Sequence, residues 1–180
     1  MLRALRQGKE IISVDETCIY LKKPPAYGYS KRGERLSVRT AKMYRSDKVS
    51  FLLAVSNKRG VVGYETIQGN FDGATFSQFV CDIDAPCGSA ILMDNVRFHH
   101  TAETRHAASV KGFSLLYTPS YSPELNPVEY AFSVVKNEYS RRQRGARSFS
   151  ISVARSLEVI TQDKIDSFFG HVEFLLSRSE

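Results

Sequence analysis

Four polar side chains able to bind metal ions or move protons follow a short apolar run in "ILMDNVRFHH", residues 91–100. They are Asp94, Asn95, His99 and His100. Functional groups in open α/β sheets gather beyond the carboxyl ends of strands, so Asp94 is a candidate site residue if the apolar run is a buried strand. A purely structural interpretation instead makes Asp94 a turn residue and both histidines ordinary surface groups.

Two other carboxylates are candidates to join Asp94. Asp15 lies in an apolar strand predicted over 10–21, where a lone charge is costly unless it faces a polar site, and strand alternation puts it on the same face as Ser13. If this strand neighbours the one predicted over 89–94, both aspartates emerge at one place. Glu129 lies near the start of the helix predicted after a proline-containing loop.

Converging carboxylates repel one another unless cations lie between them. Ligation by oxygen alone selects hard metals such as Mg²⁺ or Mn²⁺. Two such ions, roughly 3.5–4 Å apart, activate a water or a 3′-hydroxyl and stabilise the leaving oxygen of a phosphodiester. The triad alone is a weak signal, because the chain has 19 acidic residues.

Hydrophobic periodicity predicts the elements that position these groups. Strands are expected over 10–21, 48–57, 60–69, 89–94 and 113–118; helices are expected after Asp72 (with Phe76, Phe79, Val80 and Ile83 on the apolar face), over about 101–108, after Pro127 (with Val128, Phe132, Val135 and Tyr139), and over 151–161 and 163–177. An antiparallel meander followed by strand–helix–strand units predicts an α/β fold: a mixed sheet with helices on its faces.

The charge distribution favours a polyanionic partner. The net charge is +6 and the sequence pI is about 9.3. Basic residues cluster in two segments: Lys22, Lys23, Lys31, Arg32, Arg35, Arg39, Lys42, Arg45 and Lys48, and then Lys136, Arg141, Arg142, Arg144 and Arg147. Such clusters suit a nucleic-acid backbone, although basic runs also occur as plain solvated faces.

The motifs that contain the three acids resemble those of a known enzyme family. Asp15 in "SVDET", Asp94 in "MDNVRFHH" and Glu129 in "TPSYSPELNPVEYAFSVVK" closely resemble the catalytic motifs of mariner-like and related bacterial insertion-sequence transposases. "YGYSKRGER" and "NKRGVVGYETIQGNFDGATFSQFV" resemble other segments of this DDE class, and the resemblance spans roughly residues 10–142. It implies a ribonuclease H-like fold with a five-stranded mixed sheet and a basic hairpin or loop inserted after the first strand.

The resemblance assigns roles to individual residues. It implies that Asp15, Asp94 and Glu129 are catalytic metal ligands for two Mg²⁺ or Mn²⁺ ions, with Asn95, His99 and Asn126 as auxiliary active-site residues. The DNA-binding residues would be Lys22, Lys23, Lys31, Arg32, Arg35, Arg97, Lys136, Arg141 and Arg142. The expected partners are transposon ends and target DNA, bound by a homodimer, with no organic cofactor and no membrane.

The expected organisation is a catalytic domain over 1–147, including the basic insertion at 22–47, and a helical extension over 148–180 packed on it. The resemblance implies an N-terminal helix-turn-helix module, which we expect to be missing here; an excised domain and a truncated gene product are the two alternatives. Neither a signal peptide nor a membrane span is expected.

The predicted location is the nucleus in a eukaryote and the cytoplasm or nucleoid in a bacterium. The alternative functions are a decayed DNA-binding relative without catalysis and a non-transposing nuclease of the same fold.

Overall fold

The computed structural model describes residues 1–20, 29–34, 48–142 and 149–178. Within them lie five strands: β1 (Ile11–Tyr20), β2 (Lys48–Ser56), β3 (Gly60–Gln68), β4 (Ala90–Met93) and β5 (Ser114–Tyr117). The α-helices there are α1 (Leu2–Arg6), α2 (Gly73–Asp82), α3 (Ala102–Lys111), α4 (Pro127–Arg142), α5 (Phe149–Leu157) and α6 (Gln162–Ser177). Short 3₁₀ turns occur at Arg97–His100 and Pro123–Leu125.

The strands form one mixed sheet in the order β3-β2-β1-β4-β5. The three long strands pair antiparallel, whereas β4 pairs parallel with both β1 and β5. Ser13 of β1 is in register with Leu92 of β4, which is one residue before the end of β4. Because β1 continues past that point, Asp15 and Asp94 lie side by side where β4 stops.

Each face of the sheet is covered by a separate apolar core. Alternate residues of β1 and β2 contact α4, α5 and α6 on one face, including Ile11, Phe51 and Leu53. The intervening residues, such as Ile12 and Val14, join α2 and α3 on the other face. The alternation along β1 therefore decides which helix layer each polar side chain of that strand meets.

The apolar stripes expected on α2 and α4 are buried, and Asp72 caps α2 by accepting a hydrogen bond from the amide of Thr75. The helix expected over 101–108 continues to Lys111. The helix expected over 151–161 was misplaced, because it spans Phe149–Leu157 and Ile160 lies in the connection to α6. Ile160 is nevertheless buried, which explains why it matched the helical stripe. Helix α1 has no counterpart in the sequence prediction.

Helices α5 and α6 pack against α4, and their residues Val153, Ile165 and Val172 are buried. None of the described helices is long and apolar enough to traverse a lipid bilayer. The insertion predicted at 22–47 lies outside the described residues except for 29–34, where Tyr29 is exposed. The division between 1–147 and 148–180 stays a prediction.

Candidate active site

The three candidate acids line one open pocket of about 320 Å³. Asp15 lies on β1, Asp94 follows the last residue of β4, and Glu129 is in the first turn of α4. Asp15 is buried, whereas Asp94 and Glu129 are partly exposed. The pocket is therefore built where two neighbouring parallel strands and one helix N-terminus meet.

A buried hydrogen-bond network joins the start of α4 to β1. The amide nitrogen of Asn126 donates to Oδ2 of Asp15 at 3.0 Å, and the Ser13 hydroxyl donates to Oδ1 of Asn126 at 2.5 Å. The Ser13 oxygen also accepts the backbone N–H of Val128 at 2.8 Å, one of the amides that a helix start leaves without an intrahelical partner. The backbone N–H of Glu129 donates to the carbonyl of Asn126 at 3.0 Å. These bonds fix the first turn of α4, and with it Glu129, relative to Asp15.

A buried histidine connects Asp94 to a fourth carboxylate, that of Glu16. His99 is fully buried, with Nδ1 2.7 Å from Oδ1 of Asp94 and 3.3 Å from the Asp94 carbonyl oxygen. Its Nε2 is 3.4 Å from Oε2 of Glu16. Burial alone would lower the pKa of His99, but the contacts with Asp94 and then Glu16 outweigh it and raise that pKa to about 9. The interpretation of His99 as a surface residue is therefore wrong.

Burial and mutual repulsion raise the pKa of two of the acids in the pocket. Burial, followed by the nearby charge of Asp94, raises the pKa of Asp15 to about 7. The backbone N–H of Glu16, which donates to Oδ1 of Asp15, lowers this pKa, whereas the charges of Glu16 and Glu129 raise it. Burial also raises the pKa of Glu129, which Lys136 partly opposes and Asp94 reinforces. Carboxyl groups in this state gain from any positive charge placed among them.

The donor set fits a hard divalent cation. The pocket offers carboxylate and amide oxygens, the ligands that Mg²⁺ and Mn²⁺ prefer. Among the described residues, no three His, Cys, Asp or Glu side chains stand at the spacing of a preformed metal site. The three acids thus share the pocket without closing on a common point.

Asn95 lies at the exposed rim of the pocket and is held by its neighbours. Its Oδ1 is 2.5 Å from Nε2 of His100, and its amide nitrogen is 3.5 Å from the hydroxyl of Ser120. The His100 ring stacks on Tyr117 of β5 with 4.1 Å between ring centroids. His100 therefore orients Asn95 and does not itself line the pocket.

Among the predicted DNA-binding residues that the structure describes, Lys136 interacts with one of the acids. Lys136 donates to the Thr17 hydroxyl of β1 and acts electrostatically on Glu129. The other predicted DNA-binding residues in the described part of the chain are exposed: Lys31, Arg32, Arg97, Arg141 and Arg142. Arg141 and Arg142 pair with Glu138. Lys22, Lys23 and Arg35 lie outside the described residues.

Residues 10–150, most of the chain, match the family described as DDE superfamily endonuclease. The chain belongs to this DDE endonuclease family. Comparison with curated protein sequences gives no match.

Several solved structures of Mos1 mariner transposase are similar to this DDE endonuclease chain. A Mos1 paired-end complex with the left transposon end has 16% sequence identity and a TM-score of 0.72, covering 95% of this chain and 55% of that chain. A Mos1 paired-end complex with Mn has 16% identity and a TM-score of 0.71, covering 98% and 56%. The Mos1 catalytic domain has 15% identity and a TM-score of 0.67, covering 95% and 81%.

These likenesses confirm the ribonuclease H-like α/β fold, with its mixed five-stranded sheet flanked by helices. The chain spans about half the length of the Mos1 chains in the complexes.

Sequence reasoning missed the part of Glu16 in this site. Alternation along β1 sends Glu16 to the face opposite Asp15, toward α2 and α3, so it had no evident connection to the acids. Its partner His99 is enclosed between the rings of Phe76 and Phe98, each with its centroid 4.2 Å from that of the imidazole. Phe98 directly before His99 was the available signal that this turn packs inward.

Proposed function

We propose that this chain is the catalytic domain of a DNA transposase that hydrolyses phosphodiester bonds at transposon ends and transfers the freed 3′-hydroxyl to target DNA. One observation carries the proposal: Asp15, Asp94 and Glu129 line a single pocket at the end of β4 in a chain of the DDE endonuclease family. The similar Mos1 structures include complexes with transposon DNA, a strand transfer complex, and complexes with Mn and with Mg.

In this proposal Asp15, Asp94 and Glu129 hold two Mg²⁺ or Mn²⁺ ions. Bound there, the ions would lower the pKa of a water or 3′-hydroxyl and neutralise charge on the leaving oxygen. Phosphoryl transfer needs little covalent chemistry from the protein, so positioning is the main task of the side chains. Asn126 and Ser13 keep Asp15 and Glu129 in fixed relation, while Asn95 is held at the rim where a scissile phosphate would enter.

Lys136 is proposed as the phosphate contact next to the acids, because it is the partly exposed cation that acts on Glu129. Lys31, Arg32, Arg97, Arg141 and Arg142 are exposed and are proposed to extend the DNA-binding surface, together with Lys22, Lys23 and Arg35. Bridging two transposon ends would require a homodimer. The nucleus, or the bacterial nucleoid, is the corresponding location.

Metal-dependent nicking of plasmid DNA tests this function. With Mg²⁺ or Mn²⁺, wild-type chain is expected to produce nicks with 3′-hydroxyl ends, and Asp94→Asn is expected to produce none. Asp163→Asn, an equal change at an exposed position of α6, serves as the control and should nick like wild type. Salt-dependent DNA binding without product in either metal would instead favour a binding relative that has lost catalysis.

A further inference from the structure

Glu16 and His99 form a polar unit on the side of β1 that faces away from Asp15. His99 is fully buried, and its ring lies in contact with those of Phe76 and Phe98, so its nitrogens have no access to bulk water. Each ring nitrogen faces one carboxylate: Nδ1 lies 2.7 Å from Asp94, and Nε2 lies 3.4 Å from Glu16. The imidazole therefore spans the gap between β1 and the segment that follows β4.

The polar atoms of this unit depend on one another for their contacts. Oδ1 of Asp94, Nε2 of His99 and Oε2 of Glu16 are buried atoms without a well-aligned hydrogen bond in the described structure. Their mutual contacts are consequently their compensation for lost water, and removing one end leaves a buried polar atom uncompensated. Such a unit holds its carboxylates more firmly than an exposed ion pair would.

We propose that Glu16 and His99 are positioning residues for the metal-dependent reaction, with Glu16 fixing the His99 ring and His99 fixing the Asp94 carboxylate. His99 engages Oδ1 of Asp94 and leaves Oδ2 as the oxygen for a ligand in the pocket. Glu16 acts through His99 and does not touch substrate or metal. The inference rests on the proposed function, because Asp94 needs this orientation only if it holds an ion.

We call the chain of contacts from Glu16 through His99 to Asp94 the relay. Mn²⁺ binding to the full chain, measured by calorimetry without DNA, tests it. Glu16→Gln keeps the size of a partly exposed side chain and removes its charge; Glu173→Gln makes the same change at an exposed position of α6. We expect Glu16→Gln to weaken Mn²⁺ binding about tenfold, in line with other residues that support metal ligands, and the control to bind like wild type. In a His99→Gln background, Glu16→Gln should have no further effect.

Two results overturn the relay. The first is Mn²⁺ binding that depends on Asp94 but changes less than twofold in Glu16→Gln. The second is an equal loss of Mn²⁺ affinity on Glu16→Gln with and without His99, because the Glu16 charge would then act directly on the ion. Failure of the proposed function gives a different result. In that case the wild-type chain either binds no Mn²⁺ or binds it equally well after Asp94→Asn.

Nitrogen NMR of the His99 ring tests the same unit without metal and without a His99 variant that must fold. We expect Glu16→Gln to shift the Nδ1 resonance, which faces Asp94, as well as the Nε2 resonance, because the ring reorients as a whole. An Nδ1 resonance that stays at its wild-type position would overturn the relay, whatever the outcome of the metal titration.

Discussion

The side-chain amide of Asn126 donates a hydrogen bond of 3.0 Å to Oδ2 of Asp15, joining the loop before α4 to the central strand of the sheet. An ionised carboxylate can only accept, so when Asp15 is charged the Asn126 nitrogen faces Asp15 and the Asn126 oxygen accepts from the Ser13 hydroxyl. This fixed orientation makes Asn126 the connection between the Asp15 side and the Glu129 side of the pocket.

Replacing Asn126 should cost both stability and activity. Asn126→Ala removes the bonds to Asp15 and Ser13 and leaves buried polar atoms unpaired, so we expect a loss of about 1–3 kcal/mol in the free energy of unfolding. Urea unfolding measures this loss. Asn137→Ala, at an exposed position of α4, is the control and should leave stability nearly unchanged. Equal effects of the two changes would contradict the role given to the network.

Metal binding should strengthen as the pH rises through neutrality. The pKa of Asp15 is raised to about 7, so a proton competes with the ion below that pH. We expect Mn²⁺ affinity to increase between pH 6 and pH 8 and binding to release protons. Calorimetry in two buffers of different ionisation enthalpy measures that release. Affinity independent of pH, with no proton released, would contradict competition between the ion and a proton on Asp15.

The metal-free protein should lose stability over the same pH range. A raised carboxyl pKa contributes stability that is present below the unfolded value of 3.8 and is lost as the pH rises through about 7. The raised pKa of His99 contributes stability that is lost as the pH rises from 6.5 through about 9. The unfolding temperature measured in a chelator should therefore fall from pH 5.5 to pH 9. Adding Mg²⁺ should restore much of the lost unfolding temperature. A rise in unfolding temperature with pH would contradict these shifts.

Lys136 should contribute to DNA binding as a single phosphate contact. Lys136→Ala is expected to weaken binding to all sequences alike and to reduce the slope of log affinity against log salt by about one. Lys164→Ala removes a lysine of α6 whose ammonium donates to a backbone carbonyl, and it should leave the slope unchanged. Fluorescence anisotropy at several salt concentrations measures both slopes. Identical slopes for wild type and Lys136→Ala would remove Lys136 from the DNA surface.

The sequence predicted the sheet and the placement of three acids in one pocket, because both depend on strong local signals; the catalytic role of the acids stays a prediction. Apolar runs define β1 and β4, and motif resemblance identifies Asp15, Asp94 and Glu129. The supporting contacts were beyond its reach. Ser13 and Asn126 are 113 residues apart, and their bond depends on rotamers set by packing. The burial of His99 likewise depends on Phe76, which comes from α2, a helix distant in sequence.

The central claim is that Asp15, Asp94 and Glu129 act as one metal-dependent unit. Single-turnover cleavage of a DNA oligonucleotide tests it most directly, using wild type, Asp15→Asn, Asp94→Asn, Glu129→Gln, the triple variant and the exposed-site control Glu173→Gln. We predict a loss of at least about a thousandfold for each single change, with the triple variant hardly worse, because groups acting as a unit are not additive. Cleavage that survives any one of these three substitutions at near the wild-type rate would contradict the claim.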